Sequence, residues 1–193
     1  MNSSPHVAIV TGANHGIGAA TAERLAAAGT SVLITYLRGR VTADPETPER
    51  YQENRMTDGK QVAVRIRRRG GRALAVEADL LDDTTPAMLF DLAERELGPV
   101  DVLVNNATGW AAGDSFVAGS PDAAGRTSAA VTGELFDRTF GVDARAAALM
   151  IAAFDTGRVP NVSGLEFSLT RASEAKIRPE ILVFENGLNS TRD

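Results

Sequence analysis

Three glycines near the start of the chain have the spacing of a phosphate-binding turn. They lie in the octapeptide Thr-Gly-Ala-Asn-His-Gly-Ile-Gly over residues 11–18, directly after an apolar run over residues 7–10. Glycine lets the backbone turn tightly and approach a phosphate closely, and the unpaired amide groups that begin the next helix meet the negative charge. We therefore predict a turn that binds the pyrophosphate of a nucleotide, with an ordinary glycine turn as the alternative. Its candidate binding residues are Thr11, Gly12, Asn14, His15, Gly16, Ile17 and Gly18.

The elements around this turn have the order that such a site requires. After the first strand, apolar residues recur at helical spacing as Ile17, Ala20 and Leu25, until Gly29 ends the helix. A second apolar run over residues 31–36 is rich in β-branched residues and predicts a buried strand. Strand, helix and strand form a βαβ unit, which favours the phosphate-binding turn over the ordinary one.

Strands and helices continue to alternate along the chain. A polar segment over residues 38–58 is predicted to be a surface insertion, and a helix over residues 60–69 follows it, with Val62, Val64 and Ile66 as its apolar positions. Further strands are predicted over 72–78 and 100–104, helices over 85–97 and 134–154, and a loop over 107–132. This alternation is typical of an α/β fold, so we predict a doubly wound parallel (Rossmann) sheet that is incomplete at its C-terminal side.

The composition fits a single domain that binds a small molecule. The 193 residues are 44% hydrophobic and 23% charged, the balance of a packed globular protein. The net charge of −5 disfavours nucleic acid and anionic membranes, so no nucleic-acid or membrane partner is expected. The chain has no cysteine and no apolar run long enough to span a bilayer, so we predict a cytoplasmic location. His6 and His15 are isolated from acidic pairs, and no metal site is predicted.

The turn and two later motifs resemble the short-chain dehydrogenase/reductase family. The turn matches the family's Thr-Gly-x-x-x-Gly-Ile-Gly fingerprint, and Asp79-Leu80 stands where the family hydrogen-bonds the adenine ring. Asn105-Asn106-Ala107 matches the family's Asn-Asn-Ala-Gly motif after strand four, with Thr108 in place of the final glycine. The three motifs occur in the family's order, and the resemblance covers roughly residues 5–154. It implies a Rossmann fold, an NADP(H) or NAD(H) cofactor and a carbonyl or alcohol substrate.

The residues after the second strand bear on the choice between these cofactors. In proteins that bind NAD, an acidic side chain there accepts hydrogen bonds from the ribose hydroxyls. This chain has Tyr36, Arg38 and Arg40 instead, and a guanidinium group suits a 2′-phosphate. We predict NADP as the cofactor, with NAD as the alternative, and take all three residues as candidate contacts.

The residues that the family uses for catalysis do not occur in their usual pattern. By resemblance, the acid is a tyrosine followed four residues later by a lysine, whereas the two tyrosines here, Tyr36 and Tyr51, have no such lysine. Asp143 stands at the family's asparagine position, and residues 157–164 resemble the family's fifth strand but place Gly164 in the serine position. No catalytic residue is assigned, and Asp143 remains only a candidate acid.

The composition changes near residue 155. We predict a dinucleotide-binding domain over residues 1–157 and an atypical tail over 158–193 that is not an independent domain. The tail is expected to pack poorly and to leave a sheet edge exposed, so the chain would aggregate or form homo-oligomers. Its strand-like run, Ile-Leu-Val-Phe over residues 181–184, is expected to pair at that edge.

Three functions are consistent with the sequence. The first is an NADP(H)-dependent oxidoreductase of the short-chain dehydrogenase/reductase type acting on a carbonyl or alcohol, in a form whose end from about Asp155 is replaced and which is catalytically incomplete. The second is a non-enzymatic module that binds NADP or a protein partner. The third is an enzyme with Asp143 as its acid, ranked last because the sequence reveals no partner for this aspartate.

Overall fold

Parallel strands form one sheet at the centre of the fold. The computed structural model describes residues 6–38, 53–110, 130–155 and 181–183. Within these residues the strands are β1 (Val7–Thr11), β2 (Ser31–Tyr36), β3 (Ala73–Glu77), β4 (Val102–Asn105) and β5 (Ile181–Val183). Their order across the sheet is β3-β2-β1-β4-β5, and every neighbouring pair is parallel. The chain builds outward from β1 first in one direction and then in the other, which confirms the predicted doubly wound fold.

Helices cover the two faces of the sheet. They are α1 (Gly16–Ala27), α2 (Lys60–Arg68), α3 (Thr85–Glu96), α4 (Gly133–Phe140) and α5 (Ala147–Asp155), with a π-helical segment (Gly141–Ala146) between the last two. Near the end of the predicted insertion after β2, residues 53–55 are helical, while residues 39–52 lie outside the described part of the chain. Across the described ranges, no helix has both the length and the apolar character needed to cross a membrane.

Alternate residues of β1 to β4 contribute to two separate hydrophobic cores. Val10 of β1 packs with α1 and α2, whereas its neighbour Ile9 packs with α3 and α5. All five residues of β1 and all six of β2 are buried, as expected for parallel strands that are covered on both faces. In the second core the ring centroids of Phe90 and Phe154 lie 5.9 Å apart, which joins α3 to α5.

The buried face of α1 differs from the predicted one. Ile17 is 60% exposed and Ala20 is also exposed. The buried residues of the helix are Gly18, Ala19, Ala22 and Ala26. These small residues let the helix lie close to the sheet, and close packing outweighs the spacing of the larger side chains. In α2, likewise, Ala63 is buried whereas the predicted Val64 is only half-buried.

The fifth strand comes from the last part of the chain. Its backbone pairs with β4, with Ile181 opposite Leu103 and Val183 opposite Asn105. This is the position that the resemblance assigned to residues 157–164, which lie outside the described residues. The Ile-Leu-Val run therefore pairs at the sheet edge as predicted, but directly with β4. Poor packing of the rest of the tail concerns residues outside the described ranges and stays a prediction.

Candidate functional site

The predicted phosphate-binding turn joins β1 to the start of α1. Gly12 and Gly16 have φ angles of 64° and 57°, in the left-handed region that glycine adopts without strain. α1 begins with no side-chain hydrogen bond from its N-cap residue, His15, and has no acidic residue in its first turn. The amides of that turn are therefore available to an anion at the positive end of the helix dipole. A Cβ atom on Gly16 would meet no described atom within 4 Å, so this position faces open space.

Two polar side chains join this turn to the end of β4 through hydrogen bonds. The Thr11 hydroxyl accepts hydrogen bonds from the backbone amides of Asn106 and Ala107, at 2.9 and 3.0 Å, and donates to the Val104 carbonyl at 3.4 Å. The side-chain amide of Asn106 donates to the carbonyls of Thr11 and Gly12, at 2.9 and 3.1 Å. Because Thr11 is only 1% exposed, these bonds form inside the protein and fix the turn at the carboxyl edge of the sheet.

Two of the three glycines are needed for this close fit. A Cβ atom on Gly12 would lie 2.7 Å from the Ala107 Cα, and one on Gly18 would lie 2.5 Å from the Asn106 Nδ2 and 2.6 Å from the Gly12 carbonyl oxygen. These distances are shorter than van der Waals contact. Gly12 and Gly18 therefore let the turn pack on the end of β4, and Gly16 is the glycine that faces open space.

Asn14 anchors the segment that follows the insertion. Its side chain is 5% exposed and donates to the carbonyls of Thr57 and Arg55, at 3.0 and 3.4 Å. Burial lowers the pKa of His15 below its usual value, and the charge of Arg55 lowers it further, so the imidazole is neutral at neutral pH. Residues 55–57 thus belong to the surroundings of the turn, and the sequence contains no signal for this beyond their polarity.

Tyr36 is the last residue of β2. It is 2% exposed, its hydroxyl donates to the Asp58 carboxylate at 2.5 Å, and its ring packs so closely on Gly59 that a Cβ atom there would lie 2.4 Å from the ring. The side chain is therefore a support for the segment before α2. The sequence predicts Tyr36 as a cofactor contact but has no signal for the packing of its ring on Gly59.

Tyr36 is expected to stay protonated far above the usual range. Burial and then the hydrogen bond to Asp58 raise the pKa of Tyr36 to about 12. The pKa is higher in the folded than in the unfolded state, so the contribution of Tyr36 to stability is complete below the unfolded value and is lost as the pH rises to about 12. Titration of tyrosinate absorbance in the unmodified chain and in Tyr36→Phe should isolate this late-ionising group. Two tyrosines that both ionise at the ordinary pKa would contradict the burial of Tyr36.

Arg38 forms a forked ion pair with Glu77. Its Nε lies 3.1 and 3.0 Å from the two carboxylate oxygens, and its Nη2 lies 2.6 Å from Oε2. The guanidinium lowers the pKa of Glu77, which is therefore ionised at neutral pH. Glu77 ends β3 and lies opposite Tyr36 in the parallel register, so strand pairing is the signal that identifies it. Sequence reasoning considered only β2 and found no acidic residue there; Arg40 lies outside the described residues.

The remaining predicted residues follow β3 and β4 at the same edge. Asp79 accepts a hydrogen bond from the amide two residues on, at 2.9 Å, and its carbonyl accepts one from the Thr85 hydroxyl at 2.6 Å. These bonds shape the turn that leads into α3. Asp79 is exposed, whereas Leu80 is buried in the second core. Asn105 is buried, with its side-chain amide 3.5 Å from the Ala147 carbonyl.

Asp143 lies on the π-helical segment and holds the residues that leave β4. Its two oxygens accept hydrogen bonds from the Thr108 hydroxyl at 3.0 Å and from the Gly109 amide at 2.7 Å. The sequence reveals no partner for this aspartate, and the structure supplies two, both of which donate to its carboxylate. In both contacts a carboxylate oxygen of Asp143 is the acceptor. A Cβ atom on Gly109 would lie 2.6 Å from the Arg138 carbonyl oxygen, so the backbone approaches α4 closely at Gly109. This glycine is one residue after Thr108, which replaces the family's final glycine.

Comparison with known proteins agrees with this geometry. A family model described as short chain dehydrogenase matches residues 6–155. The chain belongs to the short-chain dehydrogenase family. A short-chain type dehydrogenase/reductase from Picea abies is 32% identical over 164 residues, which cover 81% of this chain and 53% of the relative. A cis-4-hydroxycyclohexanecarboxylate dehydrogenase from Sinomonas cyclohexanicum is 42% identical over 101 residues, which cover 52% of this chain and 33% of the relative.

Solved structures of similar proteins share the fold. A blue fluorescent protein from a metagenomic library, in complex with NADPH, has a TM-score of 0.58 at 30% identity over 81% of this chain and 53% of its own. A short chain dehydrogenase from Burkholderia cenocepacia, in complex with NADP, has a TM-score of 0.55 at 33% identity over 77% of this chain and 49% of its own. This member of the short-chain dehydrogenase family spans between 33% and 53% of the length of the first curated relatives that it matches.

Proposed function

We propose that this chain binds NADP(H), with NAD(H) as the alternative, across the carboxyl edge of its sheet. The observation that carries the proposal is the start of α1, where an uncapped first turn follows a glycine turn and Gly16 faces open space. Such a helix start binds the pyrophosphate in dinucleotide-binding folds, because its amides and dipole meet the negative charge. The two solved relatives that hold NADPH and NADP support the assignment.

The other residues at this edge suit the adenosine half of the cofactor. Asp79 and Leu80 follow β3, where the family contacts the adenine, and the Arg38 guanidinium stands at the end of β2 as a partner for a 2′-phosphate. We assign Asn14 and Tyr36 to positioning, because both are buried and bonded to the segment before α2. When bound, the cofactor would supply or accept the hydride.

We propose that this chain is a catalytically incomplete form of an oxidoreductase of this family, whose reaction is hydride transfer between the cofactor and a carbonyl or alcohol. Proton delivery to a carbonyl oxygen needs a donor whose pKa lies near the working pH. Tyr36 holds its proton up to about pH 12, and Tyr51 has no lysine four residues later. Asp143 uses both oxygens as acceptors. We therefore propose that the 193-residue chain binds cofactor without turning it over.

A second candidate is a non-enzymatic module that binds NADP or a partner. The engagement of Asp143 with Thr108 and Gly109 favours this candidate over an enzyme with an unfamiliar acid. In both candidates we assign binding to residues 1–157 and treat 158–193 as a tail whose described residues, 181–183, add β5 to the sheet. We expect a cytoplasmic protein that self-associates.

Purified protein is expected to bind NADPH without consuming it. A change in NADPH fluorescence on mixing would report binding. NADPH absorbance in the presence of aldehydes and ketones should fall no faster than in buffer, because the described residues at this edge include no proton donor with a pKa tuned toward neutral pH. An unchanged fluorescence signal would contradict the proposed binding.

Asp143→Asn is the control for the chemistry. Turnover by the unmodified chain that survives this substitution would show that another residue supplies the proton, contrary to our assignment. Turnover that the substitution abolishes would instead support Asp143 as the acid.

A further inference from the structure

The ion pair between Arg38 and Glu77 lies where we place the adenosine half of the cofactor, and it affects the preference between NADP and NAD. Arg38 holds the Glu77 carboxylate through Nε and Nη2, and its backbone amide also donates to Glu77 at 3.2 Å. The two side chains are 48% and 33% exposed, so a ligand reaches the pair from solvent. Arg38 therefore meets an incoming ligand with a carboxylate already bound.

Among the described residues, the charges around Arg38 are close to balanced. Hydrogen bonds from the Tyr36 hydroxyl and the Lys60 amide lower the pKa of Asp58, which is ionised at neutral pH and acts on both members of the ion pair. Two carboxylates, Asp58 and Glu77, thus oppose the guanidinium and the nearby Lys60. A phosphate group carries nearly two negative charges, so it meets repulsion here as well as attraction.

We propose that Glu77 determines how strongly this chain prefers a nucleotide with a 2′-phosphate over one with a free 2′-hydroxyl. The inference rests on the proposed function, since it takes the adenosine half to bind at this edge. Glu77 occupies the Nε and Nη2 edge of Arg38, so a 2′-phosphate has to share the cation with a carboxylate. A free ribose hydroxyl is neutral and is able to donate to a carboxylate. Glu77 thereby lowers the preference for NADP and keeps NAD acceptable.

Glu77→Gln tests this role by calorimetric titration at neutral pH and low salt. The amide oxygen of glutamine still accepts a hydrogen bond from Arg38, but the charge is gone. We expect 2′,5′-ADP to bind the variant about fivefold more tightly than it binds the unmodified chain, because one negative charge close to the phosphate is gone. The affinity for 5′-AMP should change by less than about twofold. Glu96→Gln removes the same charge at the end of α3, where Glu96 pairs with Arg95, and should leave both affinities within about twofold.

The gain must also depend on Arg38. Arg38→Gln combined with Glu77→Gln should abolish it, and a gain that persists in the double variant would overturn the proposal. The proposal would also be overturned if both ligands bind but Glu77→Gln leaves the ratio of their affinities unchanged or shifts it in favour of 5′-AMP. That result would leave the proposed function intact. Failure of both ligands to bind the unmodified, folded chain would overturn the proposed function and this inference with it. Thermal unfolding of each variant verifies that it is folded.

Discussion

Replacing Thr11 by valine should lower the free energy of unfolding by about 2–4 kcal/mol, because it leaves the amides of Asn106 and Ala107 without their acceptor. Valine keeps the β-branched shape of threonine, so packing within β1 changes little. The loss is large beside the roughly 5–15 kcal/mol that stabilises a typical domain. Chemical denaturation with a two-state fit measures it. Cofactor binding should weaken as well, since these hydrogen bonds position the turn.

Thr35 provides a matched control within the same sheet. It lies directly opposite Thr11 in the β1–β2 register and is equally buried, at 1% exposure. Its hydroxyl has no hydrogen-bond partner among the described residues. Thr35→Val should therefore leave stability unchanged or raise it by up to about 1–2 kcal/mol. Equal losses in the two variants would show that the Thr11 hydroxyl does not act through its hydrogen bonds.

Gly18→Ala should both destabilise the fold and abolish measurable cofactor binding. The added Cβ atom would lie 2.6 Å from the Gly12 carbonyl oxygen and 2.9 Å from the Ala13 Cα, so backbone as well as the Asn106 side chain has to move. Overpacking of this kind lowers the free energy of unfolding by about 2–3 kcal/mol. Movement of the turn would also displace the amides that we assign to the pyrophosphate. Denaturation and NADPH titration of the same preparation measure the two effects.

Two other glycines separate stability from binding. Gly133 begins α4, and no described atom lies within 4 Å of an added Cβ. Gly133→Ala should therefore leave stability and binding unchanged or raise stability by up to about 1 kcal/mol. Gly16→Ala creates no clash but keeps a φ of 57°, and should cost about 1 kcal/mol of stability while weakening binding more than tenfold. Unimpaired NADPH binding in Gly16→Ala and Gly18→Ala would contradict the placement of the pyrophosphate.

Sequence reasoning succeeded where the signal was local. The glycine turn, the βαβ order and the motifs after β3 and β4 occupy short segments whose residue types depend on backbone geometry, and the structure brings their ends to one edge of the sheet. The predicted buried face of α1 is wrong. The spacing of large apolar residues places Ile17 on that face, whereas the helix packs on the sheet through alanine and glycine.

Contacts between distant segments could not be foreseen in the same way. Glu77 becomes the partner of Arg38 only when β3 pairs with β2, and Asp143 reaches Thr108 only through the π-helical segment, for which the sequence has no periodic signal. The positions of Asn14 and Tyr36 predict ligand contacts but give no sign that both side chains bond to the segment that follows the insertion. Each of these roles depends on how separate parts of the chain meet.

The central claim is that the site recognises the adenosine half of the cofactor at the carboxyl edge of β1 to β4. Calorimetric titration of the unmodified chain with NADPH and, separately, with 2′,5′-ADP tests it most directly. The account predicts that both bind and that their dissociation constants agree within about tenfold, because the adenosine side supplies most of the binding energy. Binding of NADPH with no detectable binding of 2′,5′-ADP would contradict it.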